Sequence, residues 1–243
     1  MSQSTLMDHG ARGAREVTKA ELVAIEAPSP TATWFPIPHH AVLDRVSETL
    51  DGAGFRVAKS QLLVSNHDQR FFGVLDLQSD VADGVSLSIG IRNSNDQSFP
   101  IGFCCGSRVF VCSNLSFHSE VIIARRHTKF GVDRYQEALT LAVQGLHQFQ
   151  LNENQRIRQL QQRELTEEAA HSVILKAFLA DIVSTRTLQP VIDEWQKPSY
   201  AEFEPRTAWS LHNAFTHVLK ARQRTSPQRA ALQAIQLNRL FAL

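Results

Sequence analysis

Three cysteines and a histidine lie within fifteen residues, a grouping that raises the question of a bound metal ion. They are Cys104, Cys105, Cys112 and His118. Structural zinc sites take their thiolates from closely spaced CxxC-type pairs, and this stretch has none. In an extended strand Cys104 and Cys112 would share one face while Cys105 points the other way. The sequence therefore predicts reduced thiols packed in a sheet, and no cofactor.

Four aspartates flank a predicted hairpin, as the carboxylates of a metal-dependent nuclease would. They are Asp68, Asp76, Asp80 and Asp83, with His67 as a neighbouring nitrogen ligand. Asp80 and Asp83 lie in a predicted turn, where aspartate is common for reasons of turn geometry. The chain has no P-loop, no GxSxG elbow and no HExxH motif. We expect a noncatalytic protein, and a nuclease-like enzyme is the third hypothesis.

Charged residues are segregated along the chain, although the formal net charge is only +1. Residues 121–163 carry seven basic and three acidic residues, residues 164–204 carry three basic and eight acidic ones, and residues 206–243 carry six basic and no acidic ones. A concentration of basic residues is the electrostatic footprint of nucleic-acid binding, because neutralised phosphates release counterions. The alternative is that the basic and acidic segments pair with each other, within the protein or across an oligomer.

A basic cluster directly follows the last predicted strand, at Arg125, Arg126 and Lys129. Aromatic residues that could stack on bases, as single-strand binding requires, lie close by in the sequence: Phe117, Phe130 and Tyr135. The sequence predicts a nucleic-acid interface around this cluster, with a second contact near residue 220. The candidate nucleic-acid-binding residues are Arg92, Arg108, Arg125, Arg126, His127, Lys129, Arg134, Lys220, Arg222 and Arg224.

The polar segment Arg92–Ser98, with the sequence RNSNDQS, is open to two interpretations. Asn, Ser and Asp supply the backbone geometry of tight turns. Polar loop tips are also where binding groups are found. Arg92 adds a charge that a turn does not require, so both interpretations are kept.

The spacing of apolar residues predicts an α+β fold. Residues 38–53 repeat apolar side chains every three or four positions, which predicts an N-terminal helix. Residues 55–124 alternate with a period of two between turn signals, which predicts an antiparallel sheet of about five strands. From Tyr135 the helical period returns, so the C-terminal half is predicted to be helical.

The predicted organisation has three parts. Residues 1–25 are polar and aperiodic and are predicted to be a disordered tail. Residues 26–150 form the sheet domain with a proline-rich arm, whose Trp34 and Phe35 could pin it to the body. Residues 151–243 form a helical region packed on that domain. The arm is interpreted as a structural strap, with a docking motif as the alternative.

Several sequence blocks resemble those of a known family. The blocks IRNSNDQSFPIG, RVFVCSNLSF and ARRHTK, with WFPIPHHAVLDRV and FFGVLDLQ before them and AWSLHNAFTHVLK after them, look like an uncharacterised prokaryotic family of phage- and plasmid-like proteins, a domain of unknown function. The resemblance covers Trp34 to Lys220. It implies a mobile-element setting and no particular reaction. The family often has aspartate where this chain has Ser113, which weighs against an enzyme.

These observations favour a noncatalytic nucleic-acid-binding protein of a phage or plasmid, serving single-strand DNA binding or annealing in recombination or replication. The alternative is a protein-interaction module, such as an inhibitor of a host defence or regulatory protein, using residues 165–195 and the aromatic arm. No apolar run approaches the roughly 20 residues of a membrane helix, and no apolar signal core is present. We therefore expect a cytoplasmic protein, with no membrane partner and with homo-oligomers allowed.

Overall fold

The computed structural model of the protein describes residues 14–109, 114–220 and 227–241. Within these ranges six strands form one antiparallel sheet, and they lie side by side in the order of the sequence. The strands are β1 (Arg15–Glu16), β2 (Val57–Ser65), β3 (Arg70–Ala82), β4 (Val85–Ser94), β5 (Ile101–Val109) and β6 (Asn114–Arg125). The predicted α+β class is confirmed, with one short strand more than expected.

Helices precede and follow this sheet. They are α1 (Lys19–Val23), α2 (His39–Gly52), α3 (Gly131–Gln144), α4 (Leu146–Gln162), α5 (Glu167–Leu179), α6 (Thr185–Gln196), α7 (Ala208–Leu219) and α8 (Pro227–Leu240), with a 3₁₀ turn at Ala201–Phe203. The helical C-terminal half is therefore confirmed. The predicted domain boundary at residue 150 falls inside α4, and one hydrophobic core runs from Val17 to Phe241.

The two faces of the sheet differ in chemistry because side chains alternate along a strand. On β4, Val85, Leu87 and Ile89 point to one face, and Ser86 and Ser88 point to the other. All five are buried, so both faces of the central strand are covered. The apolar face holds the main core, and the opposite face is rich in small and polar residues.

Different helices cover the two faces. On the apolar face, Ser107 of β5 donates a 2.8 Å hydrogen bond to Glu153 of α4. On the opposite face, Ile235 of α8 packs against Val74 of β3 and Cys104 of β5. The C-terminal helix therefore crosses the polar face, while α2, α3 and α4 lie over the core.

Residues 14–25 differ from the predicted disordered tail. β1 pairs with β2, and Arg15 donates two hydrogen bonds to the carboxylate of Asp68, at 3.0 and 2.6 Å. Thr18 and Glu21 form a reciprocal capping box at the start of α1. Residues 1–13 lie outside the described residues. A long-range ion pair and a helix cap order this segment. Neither interaction requires apolar residues at regular spacing, which is the pattern from which a helix or strand is predicted.

Candidate nucleic-acid interface

The basic cluster lies at the end of an edge strand. β6 is the last strand of the sheet, and it ends at Arg125, with Arg126 and Lys129 following before α3 and Arg134 in its first turn. All four side chains are exposed. We name Arg125, Arg126, Lys129 and Arg134 the basic edge.

The basic edge is not neutralised by carboxylates among the described residues. Other cations are paired there: Arg15 with Asp68, for example, and Arg70 with Asp96. No ion pair within the described residues involves the four cations of the basic edge. Arg125 donates to the carbonyl of Ala124 at 3.0 Å. The edge therefore presents its positive charge to solvent.

One aromatic side chain is exposed beside these cations. Phe130 is 58% exposed, and the Nζ atom of Lys129 lies 5.8 Å from the centre of its ring. Tyr135 is fully buried instead, and burial raises the pKa of its hydroxyl, so it is not available for stacking. The side chain of Phe117 lies outside the described residues. Of the two predicted aromatic residues whose side chains the structure describes, Phe130 is exposed and Tyr135 is not.

Arg108 does not join the basic edge. It is buried on the polar face of the sheet, and its Nη1 lies 3.2 Å from Oδ2 of Asp76. Ser88 donates a 2.7 Å hydrogen bond to the other carboxylate oxygen. Burial lowers the pKa of the Arg108 guanidinium, and Asp76 opposes that shift. Ile101 pairs with Arg125, so seven residues of β5, about 23 Å at 3.3 Å per residue, separate Arg108 from the basic edge.

Arg92 lies nearer the basic edge. It pairs with Gly102, which pairs with Ala124, so Arg92 is two strands (roughly 10 Å) from the end of β6. Its guanidinium carbon lies 5.6 Å from the ring centre of Phe99. Its stem passes so close to Gly102 that a Cβ there would lie 2.8 Å from Nε. Partial burial lowers the pKa of this guanidinium, so Arg92 lies near the basic edge without sharing its exposure.

His127 is buried at one end of a hydrogen-bond network that is centred on Asn93. Its Nε2 lies 2.7 Å from Oδ1 of Asn93, and the Nδ2 of Asn93 donates to the carbonyl of Ile37 at 2.7 Å and to Nδ1 of His39 at 2.9 Å. The remaining nitrogen of His39 donates to the carbonyl of Asp68 at 3.0 Å. We name Asn93, His39 and His127 the Asn93 hub. His127 therefore positions the chain and does not face solvent, in contrast to the prediction of a direct contact.

The polar segment at 92–98 serves the sheet. β4 continues to Ser94, which accepts from the amide of Phe99 at 3.2 Å and donates to its carbonyl at 2.7 Å. Asp96 accepts from Arg70 at 2.6 Å and from Asn66 at 2.8 Å. These hydrogen bonds hold the turn between β4 and β5 and favour the turn interpretation of this segment. Asn93 continues the row of alternate positions that Val85, Leu87, Ile89 and Ile91 occupy on β4, and this spacing is the sequence signal by which its burial could have been predicted.

The remaining predicted contacts are near the end of α7. Lys220 is the half-buried C-terminal cap of that helix. Arg222 and Arg224 lie outside the described residues. In the acidic segment, the carboxylate of Glu167 lies 3.7 Å from Nε2 of His171, and that of Glu194 lies 3.9 Å from Nε2 of His217 on α7.

The candidate metal ligands do not converge. Within the described part of the chain, no three His, Cys, Asp or Glu side chains form a group that could hold a metal ion. Asp68 and Asp83 flank opposite ends of the 13-residue β3, about 40 Å apart along the strand. Cys104 and Cys105 are free thiols, and burial raises the pKa of Cys104 to about 12. Cys112 and the side chain of Asp80 lie outside the described residues.

A glycine shapes the turn that carries the basic edge. A Cβ at Gly131 would overlap the carbonyl oxygen of Arg126, whereas a Cβ at Gly52 would meet no atom within 4 Å. We expect Gly131→Ala to lower the free energy of unfolding by about 1–3 kcal/mol, because backbone has to move. The matched variant Gly52→Ala should be neutral or stabilising by up to about 1 kcal/mol. Urea unfolding measures both, and equal effects would contradict the close approach.

No helix among the described residues is long and apolar enough to cross a membrane.

A family model described as a domain of unknown function (DUF932) matches residues 29–241. Among curated proteins and among solved structures, no match was found. The family match agrees with the resemblance seen in the sequence blocks.

Proposed function

The chain belongs to the DUF932 family, a domain of unknown function, and from this premise we propose that it is a noncatalytic protein that binds single-stranded nucleic acid on the basic edge. The observation that carries the proposal is the arrangement of four exposed cations, without ion pairs among the described residues, around an exposed phenylalanine. DNA is the proposed ligand, in recombination or replication of a phage or plasmid.

The electrostatic contribution to this binding predicts how strongly the affinity depends on salt concentration. Each phosphate neutralised on a single strand contributes about 0.7 to the slope of log affinity against log salt. If each cation of the basic edge neutralises one phosphate, the slope is about 3. Affinity would then fall about 50-fold between roughly 50 and 200 mM salt.

The exposed aromatic ring supports a single-stranded ligand over a duplex. Stacking of a base on an aromatic side chain contributes about 1–3 kcal/mol, and it needs a base that is free of its complementary strand. Phe130 precedes α3, and Lys129 beside its ring can contact the adjoining phosphate. Stacking and phosphate neutralisation together require no base-specific hydrogen bond, so binding should be tolerant of sequence.

A protein-interaction module is the second candidate, and one surface favours it. Leu175 and Leu179 lie one turn apart on α5 and are 56% and 73% exposed. Two aromatic residues of this hypothesis pack within the protein. Trp195, in the segment 165–195, is fully buried, and the ring of Trp34 in the arm lies 6.3 Å from the ring of His127. A complex with a host protein that survives nuclease treatment would favour this candidate over nucleic-acid binding.

We expect Phe130→Ala to weaken binding to a single-stranded oligonucleotide by about 1–3 kcal/mol, because a stacking platform is lost. The matched control is Leu141→Ala, which removes an apolar side chain that is 70% exposed further along α3. Fluorescence anisotropy with single- and double-stranded oligonucleotides of the same length measures both variants. Equal affinities of Phe130→Ala and Leu141→Ala for the single strand would contradict the assigned stacking role.

A further inference from the structure

The Asn93 hub joins three segments that are distant in the sequence. Asn93 lies on β4, His39 begins α2, and His127 lies between Arg126 and Lys129 of the basic edge. Asn93 also holds the carbonyl of Ile37, at the end of the proline-rich arm. All three hub side chains are buried. The Asn93 amide therefore links the loop that carries the basic edge to the arm.

The hub has a single consistent assignment of protons. Both N–H groups of the Asn93 amide are used, and one of them points at Nδ1 of His39, which has to be an unprotonated acceptor. His39 then carries its proton on Nε2 and donates it to the carbonyl of Asp68. The oxygen of Asn93 accepts from Nε2 of His127. Because a proton on Nδ1 of His39 would face the amide N–H of Asn93, the network requires a neutral His39.

The arm is a strap across the same loop. The amide of Phe35 donates to the carbonyl of His127 at 2.8 Å, and the ring of Trp34 lies 6.3 Å from the ring of His127. The amide of Thr31 donates to the carbonyl of Trp34 at 2.8 Å, which closes the arm on itself. These contacts hold residues 31–37 against the loop at His127, so we expect the arm and this loop to be held or released as one unit.

We propose that Asn93 is the positioning residue of the basic edge, and that protonation of His39 releases the arm and the basic edge together. Release of the arm is inferred from the hydrogen bonds of the Asn93 hub. The consequence of that release for nucleic-acid binding rests on the proposed function.

Charged groups surround His39 on several elements. The carboxylates of Asp68 and Asp96 favour its protonation, and His127 opposes it. Arg15 and Arg70 pair with those two carboxylates. Beyond His127, the cations of the basic edge add positive charge from the loop: Arg125, Arg126 and Lys129.

Burial outweighs these charges and lowers the pKa of His39 from 6.5 to about 4. It lowers the pKa of His127 in the same direction. For a base whose pKa is lowered by folding, the stabilising contribution is complete above the unfolded value of 6.5 and is lost as pH falls toward 4. For His39 alone the full change is about 300-fold in the unfolding equilibrium constant.

The first test follows the Trp34 fluorescence between about pH 8 and pH 4, as the difference between the wild type and Trp34→Phe. We expect the Trp34 component to change on acidification as the ring leaves His127. In Asn93→Asp the new carboxylate has no N–H group for the carbonyl of Ile37, so the arm should already be released at about pH 8 and the Trp34 component should change little on acidification. Circular dichroism checks that each variant keeps its fold. A wild-type Trp34 signal that stays constant to about pH 4, or an equal change on acidification in Asn93→Asp, would overturn the proposal.

The second test measures affinity for a single-stranded oligonucleotide at about pH 4 and pH 7.5. Protonation of histidines alone would strengthen binding to phosphates at low pH, whereas release of the hub should weaken it, about tenfold. Asn93→Asp should bind at about pH 7.5 as weakly as the wild type does at the lower pH. If Trp34 responds as expected but no oligonucleotide binds at either pH, the proposed function fails and the strap stands. If binding occurs but Trp34 does not respond, the hub proposal fails and the proposed function stands.

Discussion

Charge reversal at Arg125 and Arg126 is expected to lower the affinity for a single-stranded oligonucleotide by about 100-fold at low salt. Both side chains are exposed at the end of β6, and neither has an ion-pair partner among the described residues. The double variant Arg125→Glu/Arg126→Glu removes two phosphate contacts and places two carboxylates in their stead. The slope of log affinity against log salt should fall by about 1.4, since each contact contributes about 0.7.

The control is a second double reversal that changes the net charge equally. Lys176→Glu/Arg186→Glu alters exposed cations on α5 and α6, within the acidic segment. We expect this control to keep nearly all of the wild-type affinity, apart from a small long-range effect that salt screens. If the two double variants weaken binding to the same extent, then net charge matters and the basic edge is not the interface. Unchanged binding in Arg125→Glu/Arg126→Glu would lead to the same conclusion.

Arg108→Met is expected to lower the free energy of unfolding by about 3–5 kcal/mol, the cost of leaving one member of a buried ion pair without its partner. In the native protein the Asp76 carboxylate is buried with Arg108 at 3.2 Å and Ser88 at 2.7 Å. Methionine fills much of the arginine volume but neutralises nothing. Urea unfolding monitored by circular dichroism measures the loss.

Two variants separate the ion pair from other effects of the substitution. Asp76→Leu/Arg108→Met replaces the whole pair by apolar side chains and should recover most of the loss, because no buried charge is left. Arg125→Met removes an exposed arginine and should change the free energy of unfolding by less than about 0.5 kcal/mol. A loss below about 1 kcal/mol in Arg108→Met would contradict the buried pair.

The sequence predicted those features that local periodicity determines. The alternation of Val85, Leu87 and Ile89 with serines identified β4, and the three-four spacing after Tyr135 identified the C-terminal helices. Turn signals were expected between the strands, and Asn66, His67 and Asp68 between β2 and β3 adopt positive φ angles. The family match over residues 29–241 agrees with the blocks recognised in the sequence.

Features that depend on strand register or on distant residues were not predicted. Arg108 was assigned to the interface because its pairing with Asp76 becomes visible only when β3, β4 and β5 are aligned. His127 was assigned to it as part of a basic run, while its partner Asn93 lies 34 residues earlier. The order of residues 14–25 depends on the ion pair between Arg15 and Asp68. Each error concerns a side chain whose environment is built by a distant part of the chain.

The measurement that tests the central claim most directly is fluorescence anisotropy of the wild-type protein with single- and double-stranded oligonucleotides of equal length. Titrations at about 50 and 200 mM salt give both the strand preference and the salt dependence. The account predicts tighter binding to the single strand and an affinity about 50-fold lower at the higher salt concentration. Absence of binding at low salt, or an affinity that does not change with salt, would contradict it.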